Sequence, residues 1–394
     1  MDKVLKFTPA LFVLFSFSAC VSEPLSRNCV RVLFIIFFAM ICTKNFSLRD
    51  AIPYKKILSL MAAFLAWLMF SYLWGGMKIP LSHDSIEWIL FSHDMIIFLL
   101  LGVMISEEKF FMKILNTLAL SLMIDNFYIF YQAAQGVERP LTFLHGSIAQ
   151  STMLYIILLP MLLVLMLKKN SDRREKIFYR IIFFTSLAAC IMINTRGAWL
   201  DLAIVLPFIL AYRLRNLKKF FSSLIIFITV GGIFLVSSPQ TFHRLQTITT
   251  ANSEQSVTER FLMWQSAINA IEDNPLMGVG LGNYEEEYQE KYILDEAKER
   301  YQGHAHNVFL QFWAETGLPG IILYCALFGY ILFWSWRRAK NFYALIIFSA
   351  TLDLMLYSLT DYTFASYSSM RVYWLMFAAC VAGIKLSERK NFSL

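Results

Sequence analysis

Charge is the first thing this chain lacks. Only 16% of its 394 residues are Asp, Glu, Lys or Arg, against about 25% in soluble domains. That shortage excludes a soluble globular enzyme. With 58% hydrophobic residues, it points instead to a polytopic membrane protein. Nucleic acid is excluded as a partner: the net charge is +7, but the basic residues sit at the ends of apolar runs, where they report topology. Cysteine is thin. Cys20, Cys29, Cys42, Cys190, Cys325 and Cys380 include no C-x-x-C and none lies in the one long hydrophilic stretch, so neither a disulfide framework nor a metal site is expected. That stretch, from about Ser237 to Leu318, also has no D-x-D. No metal and no cofactor are expected.

What is present is apolar length. A spanning helix needs roughly 20 apolar residues, and twelve runs qualify or come close: 5–21, 30–43, 57–74, 86–105, 110–132, 152–168, 177–195, 198–212, 220–237, 319–336, 341–360 and 370–386. The expected fold is all-α and polytopic, with membrane segments at 1–237 and 319–394 around an outer loop at 238–318. With the N-terminus inside, the short inner segments hold 24 Lys and Arg, the short outer ones 6 and the long loop 5. That asymmetry puts both termini in the cytoplasm and the loop outside. Lys3, Lys6 and Phe17-Ser18-Ala19-Cys20 look like a lipoprotein signal, although Phe17 is a poor fit to the small aliphatic residue required; the later topology is the same either way. Ionised groups are costly at the bilayer centre, so His93, Asp94, Asp125, Asp201 and Asp353 are expected to face the bundle interior or lie near an interface.

The long loop carries three polar elements. Ser256-Val257-Thr258-Glu259 has the form of a capping box, predicting a helix over 257–271 that Asn274-Pro275 ends. On it Arg260, Trp264 and Ala267 share a face. A cation near a helix N-terminus is disfavoured unless an anion offsets it, so Arg260 reads either as a phosphate contact or as a solvated Arg over a buried Trp. Gly278-Val279-Gly280-Leu281-Gly282 has no preceding strand, so it reads as a tight turn where backbone approaches another group, not as a nucleotide fingerprint. Tyr284–Arg300 reads as a helix, with Tyr284, Tyr288 and Tyr292 in one stripe suited to the membrane interface. Glu285-Glu286-Glu287 has the charge to hold a cation but reads more readily as a solvated face. His304 and His306, two apart, do not have zinc spacing on a helix. His306 is expected to open the next helix, where a neutral imidazole suits a general base. Taken alone, a lone loop histidine reads more readily as structural.

Together these elements resemble a known family. Asn194-Thr195-Arg196-Gly197-Ala198-Trp199 looks like a signature of the bacterial O-antigen ligase family. Arg260…Trp264, then Asn274-Pro275…Gly282-Asn283, then His306-Asn307…Gly317-Leu318-Pro319-Gly320 resemble that family's later motifs, in order and spacing. The resemblance implies a GT-C-like multi-span glycosyltransferase of the inner membrane, working on its periplasmic face. It implies transfer of O-antigen from undecaprenyl diphosphate to a lipid A–core acceptor, inverting and needing neither metal nor nucleotide. On it, Arg196, Arg260 and His306 stand as catalytic residues. Arg196, Arg260, Trp264, Asn307 and His304 stand as substrate contacts, Arg139 and His145 are candidates for acceptor contacts in the first outer loops, and membrane lipid surrounds the bundle. His304 adds a second imidazole, so which histidine acts is open. O-antigen polymerase, the same chemistry on a lipid-linked acceptor, is the nearest alternative. A transporter would show paired Gly/Pro-broken spans in matching halves, and none is evident.

Overall fold

The computed structural model describes residues 2–43, 48–76, 94–103, 108–144, 146–169, 171–214, 216–237, 251–298, 300–301, 303–365 and 367–392. His83, Asp84, His93 and His145 lie outside these, as does the side chain of Ser256. All regular structure among the described residues is helical: α1 (Asp2–Ser18), α2 (Glu23–Cys42), α3 (Lys55–Trp74), α4 (Asp94–Val103), α5 (Glu108–Ala134), α6 (Ile148–Met166), α7 (Arg173–Ile193), α8 (Arg196–Leu214), α9 (Leu217–Ser237), α10 (Ala251–Asp273), α11 (Tyr284–Glu287), α12 (Val308–Trp336), α13 (Phe342–Tyr357) and α14 (Tyr367–Phe392), with short 3-10 turns at Leu48–Tyr54 and Thr363–Ala365. Each of the twelve apolar runs meets one of these helices, the run at 86–105 being described only over 94–103. Among the described residues, eight helical stretches are long and apolar enough to cross a membrane; Thr8–Ser18, Asp94–Val103 and Phe342–Tyr357 are shorter apolar helices. The protein is an all-α polytopic membrane protein.

Several helix starts follow from local chemistry. Ser147, Asp172, Asn307 and Asn341 each accept a backbone N–H from the first turn of α6, α7, α12 and α13, satisfying donors that the helix cannot. α6 is apolar all round and 83% of its apolar stretch is buried; for α14 the figure is 100%, against 33% for α3. A helix apolar on every side belongs inside, and α6 is the hub, packed on α7, α8, α13 and α14.

The polar residues of the spans do turn inward. Asp94 of α4 meets Arg371 of α14 at 2.8 Å. Asp125 accepts the Phe143 N–H at 2.7 Å, and Asn126 bonds Ser186 and Tyr155. Asp201 of α8 and Asp353 of α13 are buried, and neither oxygen of Asp353 has a hydrogen-bond partner.

The bundle has two distinct ends. At one, Asn283 donates to Gly75 O at 2.9 Å, seating the glycine-rich turn on the end of α3, and Ser369 donates to Gln150 O at 3.2 Å where α6 and α14 begin. At the other, Arg213 caps Leu167 O and Arg338 meets Glu388 at 3.3 Å.

Three loop expectations are corrected. α10 begins at Ala251, not Val257, and Glu259 accepts the Lys298 N–H at 3.2 Å instead of closing a capping box. The helix expected over 284–300 is only α11 and one π turn, Tyr288–Tyr292. Its tyrosine stripe is not at an interface: Tyr284, Tyr288 and Tyr292 are 0%, 0% and 5% exposed, packed against Ala267, Ala270 and Ile271 of α10. Nearby small residues on α10 leave room for three rings, so burial against that helix wins.

Candidate active site

The site is assembled on a kink. α12 carries non-helical backbone at Gly317 (φ 69, ψ −174), which exposes carbonyls that a straight helix would use itself. The glycine-rich turn takes them: Val279 N–H donates to Ala314 O and Gly280 N–H to Glu315 O, both at 2.9 Å. The approach is closer than a side chain permits. A Cβ at Gly278 would lie 2.4 Å from Glu315 O, and one at Gly317 would lie 2.1 Å from Leu276 O. The turn's backbone thus meets backbone, as the glycine spacing predicts.

The histidine loop is tied down just before α12. That helix starts at Val308, two residues later than expected, and His306 precedes it with φ at +48°. Asn307 is the cap: its Oδ1 accepts the N–H groups of Phe309 and Leu310 at 2.9 and 3.1 Å, and its amide donates to Leu359 O at 3.1 Å. The Asn307 side chain is thereby occupied within the protein. Val308 N–H donates to Ser358 O at 2.9 Å. These bonds hold the loop against the α13–α14 connection.

That connection supplies a residue the motifs did not reveal. Asp361 Oδ1 lies 3.2 Å from His306 Nδ1. Tyr357 donates to its Oδ2 and the Tyr362 N–H to its Oδ1, both at 2.8 Å. Burial works to raise the Asp361 pKa. The His306 hydrogen bond and the charges of His306 and His304 outweigh it, holding the carboxyl well below its usual range. An ionised carboxylate only accepts, so Nδ1 of His306 carries a proton toward it, and in the neutral ring the lone pair is then on Nε2. Asp361 is the sole acid between the last two spans, at 358–369, a signal the sequence offered without a local motif to flag it.

His304 stands edge-on to His306, ring centroids 4.3 Å apart. Burial, then the charge of His306, pushes its pKa down to about 4, so it is neutral at pH 7. Arg260 lies within electrostatic reach of both His304 and Tyr357. Arg196 is the first residue of α8. A Cβ on its neighbour Gly197 would lie 2.8 Å from Thr360 Oγ1 and 3.6 Å from the Tyr357 ring, so the α8 N-terminus abuts the segment carrying Asp361. Sequence-distant Arg196, Arg260, His304 and His306 are thus gathered around Tyr357–Tyr362. Trp264, one turn beyond Arg260, packs edge-on to Phe261 at 5.3 Å, and its indole N–H has no hydrogen-bond partner. Arg139 is half-buried in the α5–α6 connection, which Gln132 pins to Leu141. No group of three or more potential metal ligands occurs among the described residues.

Residues 181–325 match the O-antigen ligase family, a span that holds Arg196, Arg260, the glycine turn and both histidines. The chain is 26% identical over 347 residues to an uncharacterised protein of Haemophilus influenzae, covering 82% of this chain and 83% of that one. It is 22% identical over 344 residues to a ComP-specific O-oligosaccharyltransferase of Acinetobacter baylyi, covering 85% of this chain but 57% of that one. Through residues 181–325 this polytopic membrane protein is thus similar to the O-antigen ligase family, and that likeness, with the Acinetobacter relative, supports a glycosyl-transferring enzyme.

Proposed function

We propose that the protein is an O-antigen ligase. It takes O-antigen polysaccharide from undecaprenyl diphosphate and joins it to the lipid A–core oligosaccharide on the periplasmic face of the inner membrane. The observation that carries the reading is the His306–Asp361 pair. Asp361 holds the ring by Nδ1 and leaves Nε2 to accept the proton of an attacking sugar hydroxyl. The hydroxyl oxygen attacks the anomeric carbon as the bond to diphosphate breaks, so configuration inverts. Leaving-group charge grows in that step and needs preorganised cations. Arg196 and Arg260 supply planar guanidinium forks suited to phosphate oxygens, and Arg196 also stands at a helix N-terminus, which favours an anion.

Two other acceptors fit the same chemistry. A lipid-linked glycan would make the enzyme a polymerase. A protein acceptor is raised by the Acinetobacter relative, whose name describes an O-oligosaccharyltransferase. The glycolipids of a deletion strain separate the three. Bare core with accumulated lipid-linked polymer means ligase. Core carrying a single repeat unit means polymerase. Unchanged lipopolysaccharide with loss of a glycoprotein means a protein acceptor, and either of the last two results overturns the ligase reading.

A further inference from the structure

A buried polar chain runs along one side of α12 beyond the reacting groups. Gln311 and Glu315, one turn apart, are 1% and 2% exposed. Gln311 Oε1 accepts the N–H of Ala305, the residue between the two histidines, at 2.8 Å. That bond fixes the amide's order, with oxygen toward the loop and nitrogen toward Glu315, whose carboxyl group it faces one turn on. Glu315 Oε1 accepts the Gly282 N–H at 3.2 Å, and the Tyr284 N–H also faces the carboxylate. One side chain thus gathers the glycine turn, the start of α11 and, through Gln311, the histidine loop. Glu315 Oε2 has no hydrogen-bond partner, so no second acceptor contact compensates if this set is disturbed.

We propose that Gln311 and Glu315 are positioning residues that set where His306 stands against Asp361, and that they require an amide at 311 facing a carboxylate at 315. The amide must accept from Ala305 and donate to Glu315 at once. A second carboxylate at 311 still accepts from Ala305 but opposes Glu315 across a buried contact, where like charges cannot both be accommodated. Exchanging the two groups restores the order: the carboxylate at 311 accepts from Ala305 and from the amide now at 315, whose oxygen accepts from Gly282. A merely space-filling role predicts no such rescue. The effect on turnover rests on reading His306 as the base; the effect on loop geometry does not.

The test uses the full-length protein in detergent. Acylation of His306 by diethyl pyrocarbonate, followed by mass spectrometry, reports loop geometry; glycan transfer reports kcat and KM; thermal unfolding checks the fold. In Gln311→Glu the His306 acylation rate should change by about 3-fold or more. Its kcat should fall ~10–100-fold with KM nearly constant, as expected when a base is displaced by a fraction of an ångström to one ångström. The exchange Gln311→Glu with Glu315→Gln should return both to within about 3-fold of wild type. Where Gln311→Glu does not fold, Gln311→Met leaves the Ala305 N–H unpaired without adding charge, and should move both readouts the same way. Wild-type acylation of His306 in the single variants, or a folded exchange variant that rescues nothing, overturns the proposal. Acylation that changes and is rescued while transfer stays constant supports the positioning and instead removes His306 as the base.

Discussion

His304 and His306 are two residues apart and electrically unlike. His306 has a carboxylate behind it; His304 is desolvated beside another imidazole. General-base catalysis is typically worth about 10²–10⁴-fold, so His306→Ala should nearly abolish transfer while a donor analogue still binds. Asp361→Asn keeps the shape but no longer demands a proton on Nδ1, and should lose much of kcat. His304→Ala should be milder than either. Full transfer by His306→Ala alongside its loss in His304→Ala would reverse the assignment. The same pair predicts a pH dependence of stability. His304 has a folded pKa near 4, below the ordinary value near 6.5, so between those values the unfolded chain binds the extra proton. Stability should fall as pH drops from about 6.5 toward 4, and His304→Ala should flatten that slope. Asp361, held below its usual range, keeps its contribution throughout this window and loses it only at lower pH. Thermal midpoints of both proteins across the range decide it. Arg196, Arg260 and His306 could be singled out in the sequence because each lies in a local motif. Asp361 was not, because it is 55 positions from its partner and a lone Asp has no pattern.

Element by element, what could be read depended on where the determinant lies. Helix starts at Asp172 and Asn307 are local hydrogen bonds, and the glycine turn announced a close approach. The tyrosine stripe was misplaced because its burial depends on α10, a different segment whose small residues face it. α12 offers a paired test of the turn. Gly329→Ala meets nothing within 4 Å and removes a mid-helix glycine, so it should be neutral or stabilise by up to ~1 kcal/mol. Gly317→Ala combines a positive φ with a Cβ 2.1 Å from Leu276 O, so it should destabilise and undock the turn, with loss of transfer. Equal thermal midpoints for the two variants would mean that the kink is incidental.

On the scale of the whole molecule, the apolar runs carried the architecture, and the arginine and lysine count makes a prediction of its orientation. Reporter fusions at Asn216 should read cytoplasmic, and at Ser253 and Tyr367 periplasmic. A cytoplasmic Ser253 would invert the assignment and remove the histidine loop from the lipid-linked donor. What the count could not convey is that helix ends distant in sequence converge: at Gly197, α8 lies close against Thr360 and Tyr357.

The pairing of Arg371 with Asp94 bears on how the chain enters the membrane. α14 is the last span, its hydropathy of 1.3 is among the lowest of the eight, and its apolar stretch is wholly buried. An arginine near its start weakens the case for lipid further, since insertion scales charge roughly 2.5–3.5 kcal/mol for one at mid-bilayer. The counter-charge is 277 positions upstream, on α4, and has left the ribosome long before. α14 should therefore leave the translocon as a guest of an already assembled bundle rather than by its own partition into lipid. With Asp94→Leu the guest loses its host: a C-terminal reporter that reads cytoplasmic in the wild type should become mixed or be degraded, and Arg371→Leu in the same chain should restore it. A C-terminus still uniformly cytoplasmic in Asp94→Leu would show that α14 inserts unaided.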